Sequence, residues 1–317
     1  MSNQNYIIEM LELKDNNIAF EENFYYKEKI KNVTHKVFEG YLSYQPLYCS
    51  KCGVVFDEFK SVKSADGAMS FHLCNGETGQ TIDIVEDRRL CSLLKYFARY
   101  SHKARTSVKF IVIDMYSPYV SLIKSMFPNA KIIIDKFHLV QLISRALNKT
   151  RVKVMKVDKK NYNKMKRYWR LFLKDRNDLD FSKWKRFTCF PDLNTEKDVV
   201  DYMLSQNIEL KETYILYQGL LSAFKEKDYS SFIKILNDDH PLISDYMKTS
   251  LKTLNEFKNN IFNTFNNQYH NGFIEGNNNF IKVIKRIAFG FRSFRRFKAR
   301  IMICKGLIKL NKKVANT

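Results

Sequence analysis

Residues 108–138 read VKFIVIDMYSPYVSLIKSMFPNAKIIIDKFH, and the fold turns on this stretch. The apolar run Phe110–Ile113 ends at Asp114, a second run, Ile132–Ile134, ends at Asp135, and residues with helical spacing lie between them. Short apolar runs bounded by turn residues read as strands buried on both faces. Ser117 is placed to cap the intervening helix and Pro118 suits its first position, while Pro128 and Asn129 close it before the second strand. The unit is βαβ, with a carboxylate at the carboxyl end of each strand. Open α/β sheets gather their chemistry just beyond those ends.

Toward the amino terminus, Val54–Phe59 reads as a strand carrying Asp57. Ala68–Cys74 and Thr81–Val85 follow as two more strands, joined by the glycine-containing turn Asn75–Gly79. Leu90, Leu93, Leu94 and Phe97 then give a helical period up to the Val108 strand. The order β-β-β-α-β-α-β predicts an α/β fold with a ribonuclease-H-like mixed sheet, which brings Asp57 beside Asp114. Residues 1–47 hold two apolar patterns, Ile7–Leu13 and Val37–Tyr44, that fit either strands or a loose arm.

Toward the carboxyl terminus, Leu139 to about Asn266 shows helical spacing and no strand signal, with a long amphipathic run over Val200–Leu221. Aromatic residues here, among them Tyr162, Tyr168, Trp169, Phe172, Phe181, Trp184 and Phe187, alternate with Lys and Arg. Most of these rings read as helix core, and stacking on nucleic acid is the alternative. Asn271–Gly276 then reads as a turn entering a helix with apolar positions Phe280, Ile281, Ile284, Ile287 and Ala288. Glu275 falls near its start, where unpaired amides favour a carboxylate. Lys282, Lys285 and Arg286 share one face. Gly290 separates this helix from another carrying Phe291, Phe294, Phe297 and Ile301 among Arg292, Arg295, Arg296, Lys298 and Arg300.

Lys plus Arg number 54 against 33 Asp plus Glu in 317 residues, a formal charge of +21, and 45% of residues are hydrophobic. The chain therefore reads as globular with a polyanionic partner. The charge is concentrated: 16 Lys or Arg against four Asp between Arg145 and Arg186, and 12 Lys or Arg with no acid after Glu275. Six scattered cysteines exclude a disulfide framework. Cys49 and Cys52 with Gly53 have the form of half a zinc site, but no second pair stands at a suitable distance, so structural zinc is not expected. No apolar stretch is long enough to cross a bilayer and the first twenty residues do not form a signal peptide, so the expectation is a cytoplasmic, reduced protein with no membrane partner.

Three carboxylates from distant positions, Asp57, Asp114 and Glu275, suit a pair of divalent cations that promote phosphodiester displacement. Taken singly, each would more often be a cap or a solvated group. The phrases VVFDEFKSVK, EDRR, VIDMYSPY, FPNAKIIIDKFHLVQLISRALNKTR and YHNGFIEGNNNFIKVIKRIAFGFRSFRRFKARI together resemble the catalytic domain of the ISL-three group of bacterial insertion-sequence transposases. The resemblance runs from about Val54 to Lys312. It implies a DDE transposase whose ribonuclease-H-like core is interrupted by a helical insertion before the glutamate. On that pattern Asp57, Asp114 and Glu275 are the catalytic, metal-holding residues for Mg²⁺ or Mn²⁺, as two ions. Asp135 and His138 form an accessory D-x-x-H element, in which His138 orients the scissile phosphate or the second aspartate, with a structural hydrogen bond at the strand end as the equal alternative.

The implied partners are transposon ends and target DNA, gripped by Lys282, Lys285, Arg286, Arg292, Arg295 and Arg296, in a homo-oligomer associated with the nucleoid. The implied organisation is an amino-terminal arm with the zinc half-motif over 1–53, the first part of the core over 54–138, a helical insertion over 139–266, and core completion with basic helices over 267–317. One departure stands out. Family members carry a second cysteine pair and a helix-turn-helix between the segment matching Tyr41–Gly53 and the catalytic domain, whereas here Gly53 runs straight into Val54. The pattern implies an internal deletion, and with it the alternative of an impaired remnant that binds DNA or interferes with intact transposase.

Overall fold

The computed structural model describes residues 18–30, 33–42, 53–267 and 272–307. Ile7–Leu13, Cys49 and Cys52 lie outside the described residues. Of the two readings offered for the amino-terminal part, a strand holds for Val37–Leu42, within β2 (Val33–Leu42). Its antiparallel partner β1 (Ile18–Ile30) lies between the two expected patterns, a stretch the sequence reading does not mark as a strand, with a register irregularity between Phe20 and Tyr25.

The carboxylate-bearing runs then form the central sheet. In chain order its elements are β3 (Gly53–Lys60), β4 (Met69–Asn75), β5 (Thr81–Val85), α1 (Leu90–Ala98), α2 (His102–Ser107), β6 (Phe110–Ile113), α3 (Ser117–Met126) and β7 (Lys131–Ile134). The strands lie in the order β5-β4-β3-β6-β7. The first three are antiparallel, and the pairs β3–β6 and β6–β7 are parallel. This is the mixed α/β sheet expected from the sequence, with α2 as one added turn of helix. Ser117 is the first residue of α3 rather than its cap: Tyr116 takes the cap position without a side-chain hydrogen bond, and Pro118 needs no amide partner so near the helix start.

The period of two along each strand divides the core. On one face Phe56, Phe71, Leu73, Ile111, Ile113, Ile132 and Ile134 pack against α1 and α3. Val55, Cys74, Val112 and Ile133 point to the other face. Burying a Phe or Ile side chain stabilises by roughly 1.5–3 kcal/mol, so the alternation fixes which face each carboxylate joins.

After β7 the chain is mostly helical: α4 (Lys136–Val157), α5 (Tyr162–Arg167), α6 (Trp169–Leu173), then after a short hairpin of β8 (Lys185–Arg186) and β9 (Leu193–Asn194), α7 (Glu196–Ser205), α8 (Ile208–Glu226), α9 (Tyr229–Asn237), α10 (Asp245–Glu256) and α11 (Lys258–Phe265). Two features depart from the sequence reading. The β8–β9 bridge spans only two residues per strand, too short to leave a period. The run over Val200–Leu221 is broken at Gln206 and Asn207, because the Asn207 side chain accepts from Leu210 N at 2.9 Å and starts a new helix. The helical segment returns to the sheet at α11. There Thr264 Oγ1 accepts from Ile134 N at 3.1 Å and donates to Ile134 O at 2.8 Å, and Asn263 Nδ2 donates to Ile132 O at 2.8 Å. These contacts cover the otherwise open edge of β7.

α12 (Gly272–Ile287) and α13 (Phe294–Cys304) complete the second face of the sheet. The buried positions of α12 are Ile274, Asn278, Ile281 and Ile284. Of its expected apolar positions, Phe280, Ile287 and Ala288 are exposed instead, so the buried stripe is set one turn earlier and includes an amide. Phe294, Phe297 and Ile301 of α13 pack with Phe59, Ile84, Ile281 and Ile284. No described helix is long and apolar enough to cross a membrane.

Candidate active site

Asp57 lies two residues beyond Val55, and Asp114 two residues beyond Val112, its register partner on the neighbouring parallel strand. Asp135 likewise follows Ile134, the partner of Ile113. The parallel register thus sets three aspartates in a row: Asp57 within β3, just past the end of its pairing with β6, and Asp114 and Asp135 just past the carboxyl ends of β6 and β7. The strand alternation turns Asp57 toward α12. Burial first, and the charge of Asp114 second, push its carboxyl up to about 7.

His138 stands on the first turn of α4, and its Nε2 lies 2.9 Å from Asp114 Oδ1 and 3.8 Å from Asp135 Oδ2. The Asp114 contact is an ion pair rather than an aligned hydrogen bond, since Oδ1 is buried with no hydrogen-bond donor directed at it. Burial alone would lower the imidazole, but Asp114, then Asp135 and Asp57, carry it above its ordinary value. Asp135 is itself buried and caps α4 through its backbone position. The D-x-x-H spacing works because residues i and i+3 at a helix start face the same way.

Glu58, the next residue on β3, points to the opposite face. It is paired with the Arg88 guanidinium and accepts from Tyr119 Oη at 3.0 Å, while Arg88 also lies over the Tyr116 ring at 4.8 Å. Arg88 thereby neutralises a carboxylate adjoining the aspartates, which gives the EDRR segment a structural role. Glu58, Asp114, Tyr116, His138 and Arg145 line a cleft of about 230 Å³ at this end of the sheet.

Sequence reasoning missed a buried chain of hydrogen bonds behind Asp57. Asn278 Nδ2 donates to Asp57 Oδ2 at 2.8 Å, and Asn278 Oδ1 faces His72 Nδ1 at 2.7 Å. His72 stands opposite Asp57 in the β3–β4 register, and its Nε2 lies 2.9 Å from Thr81 Oγ1. Burial lowers the His72 imidazole to about 4, so it is neutral. An ionised Asp57 only accepts, which turns the Asn278 amide nitrogen toward it. His72 Nδ1 then carries the proton, and the Thr81 hydroxyl donates to Nε2. With Glu58 N donating to Asp57 Oδ1 at 2.7 Å, each carboxylate oxygen has one fixed donor. The sequence signal was a polar residue at a buried helical position, three residues after Glu275.

Glu275 itself is exposed on the first turn of α12. The start of α12 is held against the β4–β5 turn. Phe273 packs on Gly79, whose φ of 69° and a Cβ approach of 2.9 Å to the Phe273 ring leave room only for glycine, and Asn277 Nδ2 donates to Gly79 O at 2.8 Å. Among the described residues no three His, Cys, Asp or Glu side chains converge to hold a metal ion. His138 joins Asp114 and Asp135, the Asp114 charge acts on Asp57, and among the described residues no hydrogen bond or ion pair links Glu275 to them. Two acidic oxygens in a half-buried setting with His138 as their nearest cation suit a hard divalent ion.

The expected basic residues divide. Lys285 Nζ donates to Lys60 O at 3.1 Å and Ser61 O at 2.6 Å and so helps dock α12. Lys282, Arg286, Arg292, Arg295 and Arg296 are exposed.

The mixed sheet with aspartates on adjacent parallel strands, flanked by helices, has the ribonuclease-H-like arrangement. Over residues 54–301 the chain matches the DDE transposase family of the ISL-three (ISL3) group, and it belongs to that family. It is 25% identical over 211 residues to the transposase for insertion sequence element IS1001 of Bordetella parapertussis, covering 65% of this chain and 50% of that one. A Lactococcus lactis subsp. lactis protein described as an ATP-dependent protease is 46% identical over 112 residues, 35% of this chain and 36% of that one. The chain thus spans no more than half the length of these curated relatives.

Proposed function

We propose that this transposase-family chain cuts DNA at the ends of an insertion sequence and joins those ends to target DNA, with Asp57, Asp114 and Glu275 as the metal-holding residues. The observation that carries the reading is the placement of Asp57 and Asp114 in register on adjacent parallel strands, with the Asp57 carboxyl pushed up to about 7. Such a pair strains against its own charge until a cation arrives. Magnesium or manganese ions, when bound, would activate the attacking oxygen and stabilise the departing one. Asn278 and Glu58 N orient Asp57, and His138 holds Asp114 from the side of α4. Lys282, Arg286, Arg292, Arg295 and Arg296 would grip phosphates, which gives affinity with little sequence discrimination. The organisation proposed is an arm over 1–53, core over 54–138, helical insertion over 139–266 and core completion over 267–317, acting as a homo-oligomer in the bacterial cytoplasm at the nucleoid.

One observation favours a second reading, a shortened DNA-binding remnant without cleavage: Glu275 is exposed on the first turn of α12. A cleavage and strand-transfer assay on the element's own ends with Mg²⁺ or Mn²⁺, comparing the chain with Asp114→Ala, decides between them. Metal-dependent nicking lost in the variant supports the enzyme. DNA binding without nicking in either supports the remnant.

A further inference from the structure

The six residues Phe181–Arg186, FSKWKR, are all exposed, and two of them are large aromatics: Phe181 is 74% exposed and Trp184 64%. Of the other aromatics of this region, Phe172, Phe187 and Phe190 are buried, while Tyr162 and Trp169 are less exposed, 36% each, and lie beside Lys166 and Arg170. The stretch is nevertheless built firmly. Asp180 Oδ1 accepts from Ser182 N and Lys183 N, both at 3.0 Å, fixing the turn from which Phe181 and Trp184 project. Lys185 and Arg186 pair with Asn194 and Leu193, and Lys185 Nζ reaches Glu196 Oε1 at 3.1 Å. Just beyond, Phe187 seats against the Tyr168 ring at 5.2 Å between centroids, and Tyr168 Oη donates to Thr188 O at 2.8 Å. The chain thus holds two rings in water on a braced turn, where neither contributes to the core.

We infer that Phe181 and Trp184 form a stacking site for unpaired DNA bases, with Lys183 and Arg186 on the adjoining phosphates. Charge decides the class of ligand. The stretch contains three cations and no carboxylate, and Arg186 has no carboxylate partner among the described residues. A protein-docking patch would have few lysines at its centre. Stacking needs an open base face, which a duplex hides, so the ligand is a single-stranded or unpaired segment. A braced turn loses little freedom on binding, so the rings are pre-organised for such a strand. The site rests on the reading of DNA as substrate but is separate from the carboxylates.

The chain has two tryptophans, Trp169 and Trp184, so Trp169→Phe leaves Trp184 as the sole reporter. Its emission is titrated with a single-stranded oligonucleotide and with a blunt duplex of the same sequence. Quenching by the single strand, and a roughly tenfold or greater weakening of single-strand affinity in Phe181→Ala/Trp184→Ala with duplex affinity little changed, are the expected results. The exposed positions make that variant safe for folding, which circular dichroism checks. Duplex binding with an unaltered Trp184 signal and equal single-strand affinity in the variant overturns the site while leaving DNA as the substrate. Single-strand quenching without duplex binding supports the site and counts against the transposition reading. Absence of binding to either DNA overturns both. A Trp184 signal that depends on protein concentration without DNA assigns the patch to self-association and overturns the site.

Discussion

Replacing Asn278 with Leu keeps the size of the side chain and removes all three of its hydrogen bonds at once, to Asp57 Oδ2, to Glu58 O and to His72 Nδ1. The lost donor to Asp57 Oδ2 favours the charged form of that carboxylate, and hydrogen bonds to charged groups contribute about 1.5–3 kcal/mol. At 1.36 kcal/mol per pKa unit this moves the Asp57 midpoint upward by roughly 1–2 units from its value of about 7. His72 Nδ1 loses its acceptor as well, and a buried unsatisfied donor costs about 1–3 kcal/mol, part of which the buried Leu offsets. The assay is Mn²⁺ binding by electron paramagnetic resonance across pH 5.5–9, with circular dichroism confirming the fold. In the parent protein, affinity should rise with pH through the region near 7 as Asp57 sheds its proton. In Asn278→Leu the same rise should begin at least one unit higher. A folded variant with an unshifted profile would show that Asn278 is packing and does not tune Asp57.

Asp114→Ala should abolish metal-dependent cleavage while leaving salt-sensitive DNA binding intact in a mobility-shift assay; parental cleavage rates in the variant would remove Asp114 from the metal site. The Asp57 contribution to stability should fall as pH rises from about 4 through about 7, against an opposite, rising contribution from His72, whose imidazole is held down to about 4. Across that window native Asp57 keeps a proton that the unfolded chain, near 3.8, has released, and the His138 contribution is lost in the same direction as pH passes its raised midpoint. Urea midpoints of the parent and Asp57→Asn at pH 5 and pH 8 check the Asp57 share: the variant should gain on the parent as pH rises, and an unchanged difference between them would contradict it. Gly79→Ala should destabilise by about 1–3 kcal/mol, since it meets both a left-handed φ and the Phe273 ring, and limited proteolysis should find the start of α12 loosened. Thr264→Val removes two backbone partners at the β7 edge and should cost about 1–3 kcal/mol in urea denaturation.

Much of the fold was legible because burial on both faces writes a strand as an unbroken apolar run. Phe110–Ile113 and Ile132–Ile134 announced themselves and marked Asp114 and Asp135 at their ends. The β8–β9 bridge and the restart at Asn207 were not legible, since two-residue strands and a single capping side chain leave no period to detect. The aromatics between Tyr162 and Phe187 look alike in sequence, and packing alone separates buried Phe172 and Phe187 from exposed Phe181 and Trp184.

By itself the sequence determined the order of the core strands, the concentration of positive charge and the residue types available for phosphoryl chemistry, because these follow from local periodicity and composition. The element order already predicted Asp57 beside Asp114; only the tertiary structure decided that Asp57 stands opposite His72, that His138 faces Asp114, and that Asn278 joins Asp57 to His72 across more than 200 residues of chain. Strand register and helix docking are set by packing between distant segments, and no spacing along the chain encodes them.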